Sequence, residues 1–215
     1  MVNTEKYNAI KQQLAETNST LVAVSKIKPA ADILQMFELG QRDFGENYVQ
    51  ELVEKQAVLP DEINWHFIGH LQSNKVKYIA PFIHLIQSVD SEKLLKEIDK
   101  QAAKSNRKIN ILLQVHIAEE QTKFGFNDTE LMALDVTAFP NVNIMGLMGM
   151  ATFTDNKQIV KKEFDFLKKL SDHFSKEKDT VLSILSMGMS DDYELAINCG
   201  SNMIRIGSLL FGRRS

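Results

Sequence analysis

The chain has few of the features that mark secreted, membrane-spanning or disordered proteins. It has one cysteine, Cys199, so no disulfide can form within the chain, which agrees with a reducing compartment. No apolar run approaches the ~18 residues that a membrane helix needs, and the N-terminal stretch lacks the apolar core of a signal peptide. We therefore expect a cytoplasmic location and no membrane partner.

An excess of charge of one sign is also missing. The 215 residues include 25 Lys and Arg against 28 Asp and Glu, which gives a formal net charge of −3 and no electrostatic case for nucleic-acid binding. Glycine and proline are scarce, with ten and four residues, while 44% of the residues are hydrophobic. These proportions exclude a fibrous or disordered chain and indicate a globular one.

Short apolar runs alternate with segments of helical periodicity. Helical spacing predicts helices over 4–16, 30–39, 91–104 and 157–174. No segment resembles a linker, so we expect one domain over 1–215. The apolar runs predict strands over 21–25, 43–46, 65–68, 83–89, 109–117, 142–148, 181–187 and 203–206.

Eight strands that are nearly all separated by helices predict a closed (β/α)8 TIM barrel with an extra N-terminal helix. An open, doubly wound sheet is the alternative, and it would require 43–46 and 203–206 to be loops. In a barrel, the functional site lies at the C-terminal ends of the strands. The polar residues that follow each predicted strand are therefore the candidates.

Lys26 continues the apolar face of the first predicted strand, because side chains alternate and it shares a face with Val22 and Val24. A lysine in this place is either solvated at the rim or partly desolvated. Desolvation lowers the pKa of the amine and makes it nucleophilic, as an imine with a carbonyl compound requires. The residues alone leave both interpretations open.

The loops after the last two predicted strands could bind a phosphate. Gly207 and Ser208 open a short apolar segment whose free N–H groups and hydroxyl could hold an anion, and Ser186 ends the neighbouring strand. Ordinary turn chemistry is the alternative. Arg205 lies inside an apolar strand, where it needs a partner such as the carboxylate of Glu46 or a ligand above the barrel.

A metal site is not expected. His66 and His70 lie four residues apart, but on a predicted strand and loop, with no obvious third ligand. Cys199 has no recognisable nucleophile motif and is predicted to be a small buried residue.

Six motifs occur in one order along the chain. They are AVSK at 23–26, FGENYVQE at 44–51, HFIGHLQSNK at 66–75, GLMGM at 146–150, SMGMSDD at 186–192 and IRIGSLLFG at 204–212. Together they closely resemble the pyridoxal phosphate homeostasis protein family, also called the YggS or PROSC family. The resemblance covers essentially the whole chain.

The resemblance implies a barrel of the alanine-racemase type that holds pyridoxal 5'-phosphate (PLP). It implies that Lys26 forms the internal aldimine, that Arg205 faces the pyridine nitrogen and that Asn47 lies beside the cofactor. Ser186, Gly207 and Ser208 would hold the phosphate. Lys123 stands where related racemases carry an arginine near the ring hydroxyl.

The same resemblance implies a PLP carrier or regulator of vitamin B6 and amino-acid balance rather than an enzyme. Racemases of this fold use a second base, a tyrosine from an extra β domain, and the sequence ends at Ser215, just after the last predicted strand. A protonated arginine at the ring nitrogen also makes the ring a poor electron sink. We therefore expect a monomeric, non-catalytic protein with apo-PLP enzymes as recipients. A PLP enzyme acting on amino acids is the alternative.

Overall fold

The structure is a computed structural model that describes residues 2–120 and 124–212. Eight parallel strands close into a barrel in chain order, and the last strand pairs with the first. The strands are β1 (Thr20–Val24), β2 (Asp43–Glu46), β3 (Asn64–Phe67), β4 (Leu85–Val89), β5 (Ile109–Val115), β6 (Val142–Gly149), β7 (Ile184–Ser186) and β8 (Met203–Ile206).

Helices surround this barrel and connect its strands. They are α1 (Thr4–Thr17), α2 (Ala30–Glu38), α3 (Val49–Gln56), α4 (Val76–Ile79), α5 (Glu92–Lys104), α6 (Asp128–Ala133), α7 (Lys157–Glu177), α8 (Tyr193–Asn198) and α9 (Ser208–Phe211), with short 3-10 turns at Ser73–Lys75 and Val136–Ala138. None of the helices in the described residues is long and apolar enough to cross a membrane.

The closed barrel and its N-terminal helix α1 confirm the predicted fold and exclude the open sheet. The open sheet would have required β2 and β8 to be loops, and both are strands with two strand neighbours. Several boundaries differ from the prediction. The strand expected from residue 83 begins at Leu85, because the N–H of Ile83 bonds to Ile79 in the turn after α4. The strand expected over 181–187 is only Ile184–Ser186.

The alternation of side chains along each strand separates two apolar layers. Leu21, Ala23 and Ile204 belong to the large cluster between the sheet and the helices. A smaller cluster fills the barrel interior. Its buried members are Val22, Leu85, Leu112, Met148 and Met203. Because Val22 faces inward, residues of the same parity in β1 and in its neighbour β8, including Arg205, face the interior too.

Candidate functional site

The structure places the predicted site residues at or near the C-terminal ends of four strands. Lys26 lies in the turn after β1 and is half-buried, and Asn47 follows β2. The others lie at the ends of the last two strands and the start of α9: Ser186, Arg205, Gly207 and Ser208. Lys123 lies outside the described residues.

The turn that carries Lys26 is strained and held from two sides. Ile27 has φ 63°, a left-handed conformation that is unfavourable for a β-branched residue and concentrates at functional sites. Its N–H donates to Glu51 Oε1 at 2.6 Å, and Lys28 Nζ donates to the carbonyl of Phe211 at 2.9 Å. These bonds connect the turn to α3 and to α9, so the backbone at Lys26 is fixed relative to both.

A buried ion pair supports this turn from the helix side. Lys55 of α3 donates to Glu46 Oε1 at 2.7 Å, to Glu51 Oε1 at 2.6 Å and to the carbonyl of Ser25 at 2.8 Å. Ser25 Oγ donates to Glu46 Oε1 at 2.6 Å. Burial raises the pKa of Glu46, and the charge of Lys55 partly offsets that rise. Residues Glu46, Glu51 and Lys55 thus act as one polar clamp.

We expect Lys55→Met to destabilise the protein by about 3 kcal/mol at pH 8, because removing one partner leaves the buried Glu46 charge uncompensated. The pKa of Glu46 is raised in the folded state. Its protonated form is therefore favoured by folding, and that contribution is present at low pH and lost as the pH rises through the folded pKa. The destabilisation should accordingly shrink between pH 8 and pH 5.

Chemical denaturation at both pH values measures this difference. Lys96→Met is the matched control, because Lys96 forms an exposed pair with Glu92 on α5. It should cost less than about 1 kcal/mol at either pH. A Lys55→Met protein as stable as the control variant would contradict the clamp.

Arg205 is a buried cation on the inner face of β8. Only 4% of its surface is exposed, and it donates to Ser186 Oγ at 2.6 Å and to the carbonyl of Gly149 at 3.0 Å. Burial lowers its pKa to about 10, so it stays protonated at neutral pH. Within residues 2–120 and 124–212, no carboxylate forms an ion pair with it.

The suggested pairing of Arg205 with Glu46 is therefore wrong. Glu46 has the same parity in β2 as Phe44, which packs in the helix-side layer, and Lys55 takes up its carboxylate. Arg205 faces the barrel interior on the other side of the sheet. Of the two partners suggested for Arg205, its placement is compatible only with the second, a ligand atom above the barrel.

Ser186 does not have the surroundings predicted for a phosphate ligand. Its side chain is fully buried, and its hydroxyl accepts from Arg205 and donates to Gln87 Oε1 at 2.7 Å. Because its proton is committed and the side chain has no exposed surface, the structure groups Ser186 with Arg205 rather than with Gly207 and Ser208. Sequence periodicity places Ser186 at the strand end but does not show this bond.

Asn47 offers an acceptor without a partner. Its Oδ1 is buried and makes no hydrogen bond within the described part of the chain. The backbone here passes close to Gly69, where an added Cβ would lie 2.7 Å from Asn47 Cα, so glycine is required for this approach. A buried polar atom without a partner is costly, and a bound ligand would remove that cost.

Gly207 and Ser208 begin the short helix α9 at the mouth of the barrel. Ser208 is exposed, and the carbonyl of Gly207 accepts from Leu210 and Phe211 as the first turn of the helix forms. The first N–H groups of a helix have no partner within it, and they favour an anion. The geometry is therefore that of an accessible Gly-Ser turn beside the Lys26 loop, to which Lys28 connects it.

The opposite end of the barrel has a cavity of about 240 Å³, partly lined by Asp43, His66 and His84. These three residues have ligand atoms within 4.8 Å of one another, so His66 has two potential metal-ligating neighbours that its spacing from His70 did not indicate. His70 is not part of this group, because it bonds to Asp90 at 2.9 Å. That the protein needs no metal stays a prediction.

Cys199 is free and buried, as predicted, and burial raises the pKa of its thiol. Sequence reasoning missed the roles of Glu51, Lys55 and Gln87. The i,i+4 spacing of Glu51 and Lys55 in a helix was a usable signal, whereas nothing in the sequence indicates that Gln87 reaches Ser186.

Comparison with known proteins agrees with this fold. The family model described as alanine racemase, N-terminal domain, matches residues 4–215. The alanine racemase of Bartonella henselae, solved with covalently bound pyridoxal phosphate, has a TM-score of 0.74 at 17% identity, and the match covers 97% of this chain and 59% of that one. This likeness shows the fold.

Closer relatives define the family. The pyridoxal phosphate homeostasis protein of Aquifex aeolicus is 40% identical over 202 residues, which cover 93% of this chain and 89% of the relative. PipY of Synechococcus elongatus, solved with PLP bound, is 34% identical with a TM-score of 0.90, over 97% of this chain and 99% of that one. With an identity this high over nearly the full length, the chain belongs to the pyridoxal phosphate homeostasis protein family, within the alanine racemase N-terminal domain fold.

Proposed function

We propose that this protein binds PLP at the mouth of the barrel and serves PLP homeostasis as a carrier, with 1–215 as one PLP-binding domain. The observation that carries the proposal is the burial of the Arg205 cation beside the strand ends. Among the described residues no carboxylate forms an ion pair with it, and the charge of Asp192 acts on it only at longer range. Its two acceptors, the Ser186 hydroxyl and the Gly149 carbonyl, are both neutral, so a further ligand atom that accepts a hydrogen bond would stabilise the buried cation. The PLP-bound structure of PipY and the names of the relatives support PLP as that ligand.

The residues present fit this cofactor. Lys26 would hold it covalently from a fixed and strained turn, and the free acceptor on Asn47 would meet a donor of the bound molecule. The N–H groups of the Gly207-Ser208 turn and the Ser208 hydroxyl would bind the phosphate. We reassign Ser186 from the phosphate to Arg205, because its hydroxyl already bonds to the guanidinium.

When bound, PLP supplies an aldehyde that takes up an amine and a ring that withdraws electrons. The strength of that withdrawal depends on the ring nitrogen being protonated. Arg205, with a pKa of about 10, donates a hydrogen bond but keeps its own proton at neutral pH. Arg205 would therefore leave the ring nitrogen of a bound cofactor without an added proton, an arrangement that would suit storage and delivery better than removal of a substrate proton.

The proposed recipients are apo forms of PLP enzymes, and the proposed carrier is a cytoplasmic monomer that binds neither nucleic acid nor membrane. Mixing the PLP-loaded protein with an apo-PLP enzyme and timing the return of that enzyme's activity tests delivery. The same mixture separated by a dialysis membrane distinguishes contact-dependent transfer from release into solution.

Reactivation that is faster in the shared compartment would support delivery by contact, and equal rates would support release. A protein that keeps its PLP while the apo enzyme stays inactive in both arrangements would contradict the carrier function. A protein that never takes up PLP would contradict the proposal as a whole.

A further inference from the structure

A chain of four hydrogen bonds crosses the barrel interior from Arg205 to the cavity at the opposite end. Arg205 Nη1 lies 2.6 Å from Ser186 Oγ, and Ser186 Oγ lies 2.7 Å from Gln87 Oε1. Gln87 Nε2 lies 2.9 Å from His66 Nδ1, and His66 Nε2 lies 3.0 Å from Asp43 Oδ1. These five residues, named here the interior chain, come from five different strands or strand ends.

The direction of donation along the interior chain is set by its ends. A guanidinium can only donate, so Ser186 accepts from Arg205 and must give its own proton to the carbonyl oxygen of Gln87. The amide nitrogen of Gln87 then donates to His66 Nδ1, which leaves the histidine proton on Nε2. That proton is donated to a carboxylate, which can only accept when ionised.

Asp43 is ionised at neutral pH. Burial raises the pKa of its carboxyl, but the hydrogen bonds that it accepts from His66 and Asn64 act in the opposite direction, and the pKa is lowered. Asn64 Nδ2 donates to the same Oδ1 atom at 3.2 Å. The acceptor end of the interior chain is therefore stable, and every donor along the chain points away from Arg205.

We infer that Gln87, His66 and Asp43 are positioning residues for Arg205. Every hydrogen bond along the interior chain is donated in the direction away from Arg205, so these residues orient the guanidinium and supply no proton to the bound ligand. The inference rests on the proposed function, because it assigns Arg205 to the ring nitrogen of PLP. The inference goes further, because it links the orientation of Arg205 to the carboxylate of Asp43 at the opposite end of the barrel. It also fixes the His66 tautomer, with Nε2 protonated and Nδ1 bare.

This tautomer can be measured without the cofactor. Long-range ¹H–¹⁵N correlation of the PLP-free protein reports which ring nitrogen of His66 carries the proton, and His66→Gln assigns the signals. We expect a proton on Nε2 and a bare Nδ1 at pH 7. A proton on Nδ1 with a bare Nε2 would overturn the direction of the chain.

Gln87→Glu should change the protonation of the His66 ring if the hydrogen bonds of the interior chain are formed. A carboxylate at this position accepts from both Ser186 and His66, so His66 should carry protons on both ring nitrogens near pH 7. A His66 that keeps its bare Nδ1 in this variant would show that the side chain at position 87 does not set the tautomer, and would overturn the inference.

PLP affinity supplies the second readout. Gln87→Leu keeps the side chain near its original size but cuts the chain next to Ser186, and we expect PLP binding to weaken about tenfold. His84→Gln is the matched control, because His84 lines the same cavity and lies against the His66 ring without belonging to the interior chain. It should bind PLP as the wild type does.

Equal PLP affinity in Gln87→Leu and His84→Gln would overturn the positioning role. A wild-type protein that does not bind PLP would refute the proposed function instead, and the tautomer of the PLP-free protein would still decide whether the interior chain exists. If Gln87→Leu does not fold, Gln87→Glu and the wild-type tautomer give the decision on their own.

Discussion

Lys26→Ala should abolish covalent attachment of PLP. The amine of Lys26 would attack the aldehyde carbon and form a C=N bond with loss of water, and the resulting conjugation makes the protein yellow. Borohydride reduces that bond to a stable amine and fixes the label to one peptide. We expect full labelling of the peptide that contains Lys26 in the wild type and none in the variant, as measured by mass spectrometry.

Lys28→Arg is the control, because Lys28 lies two residues away and donates to the carbonyl of Phe211, a bond that arginine can also make. It should label like the wild type at the same peptide. Lys123, predicted from the family resemblance to lie near the ring hydroxyl, is a rival acceptor. Label at full yield in Lys26→Ala, on either lysine, would show that the assignment of Lys26 is wrong.

Pyridoxal, which lacks the phosphate, should bind at least about 100-fold more weakly than PLP. The Gly207-Ser208 turn offers N–H groups and a hydroxyl, and each hydrogen bond to a charged group contributes roughly 1.5–3 kcal/mol. Loss of two such bonds exceeds the 2.8 kcal/mol or so that separates affinities 100-fold apart. Titration of the PLP-free protein with each compound, followed by absorbance, gives both dissociation constants.

Ser208→Ala distinguishes the contribution of the phosphate to PLP affinity from that of the ring. It should weaken PLP binding about tenfold and leave pyridoxal binding unchanged, because only PLP can use the hydroxyl. Similar affinities of the wild type for PLP and pyridoxal would show that the Gly207-Ser208 turn does not bind the phosphate.

The fold could be predicted because local patterns repeat along the whole chain. The short runs at 43–46 and 203–206 decide between a closed barrel and an open sheet, and both are strands. The strand near 181 could not be placed well, since the apolar residue Val181 is in fact exposed and lies outside the sheet. An apolar run shows that a segment can be buried, but only pairing with the neighbouring strands fixes the residue at which a strand begins.

For the site, strand parity predicts only the face of the sheet on which a side chain lies. Parity places Arg205 on the inner face of β8, but it does not say which polar group that side chain meets. Its contacts with Ser186 and Gly149, and the pairing of Lys55 with Glu46, join residues from different strands and helices. Such contacts depend on the register of the closed barrel, which no local pattern contains.

The most direct test of a carrier rather than an enzyme is exchange of the α-proton of alanine by the PLP-loaded protein in deuterated water. NMR follows the exchange and chiral analysis follows inversion. Inversion needs two bases of suitable pKa on opposite faces of the substrate. Lys26 could serve one face, and Tyr48, which is 55% exposed after β2, is the one tyrosine at a strand end in the described residues. With Arg205 keeping its proton, we predict slow exchange without inversion, whereas inversion faster than about 1 per second would contradict the carrier function.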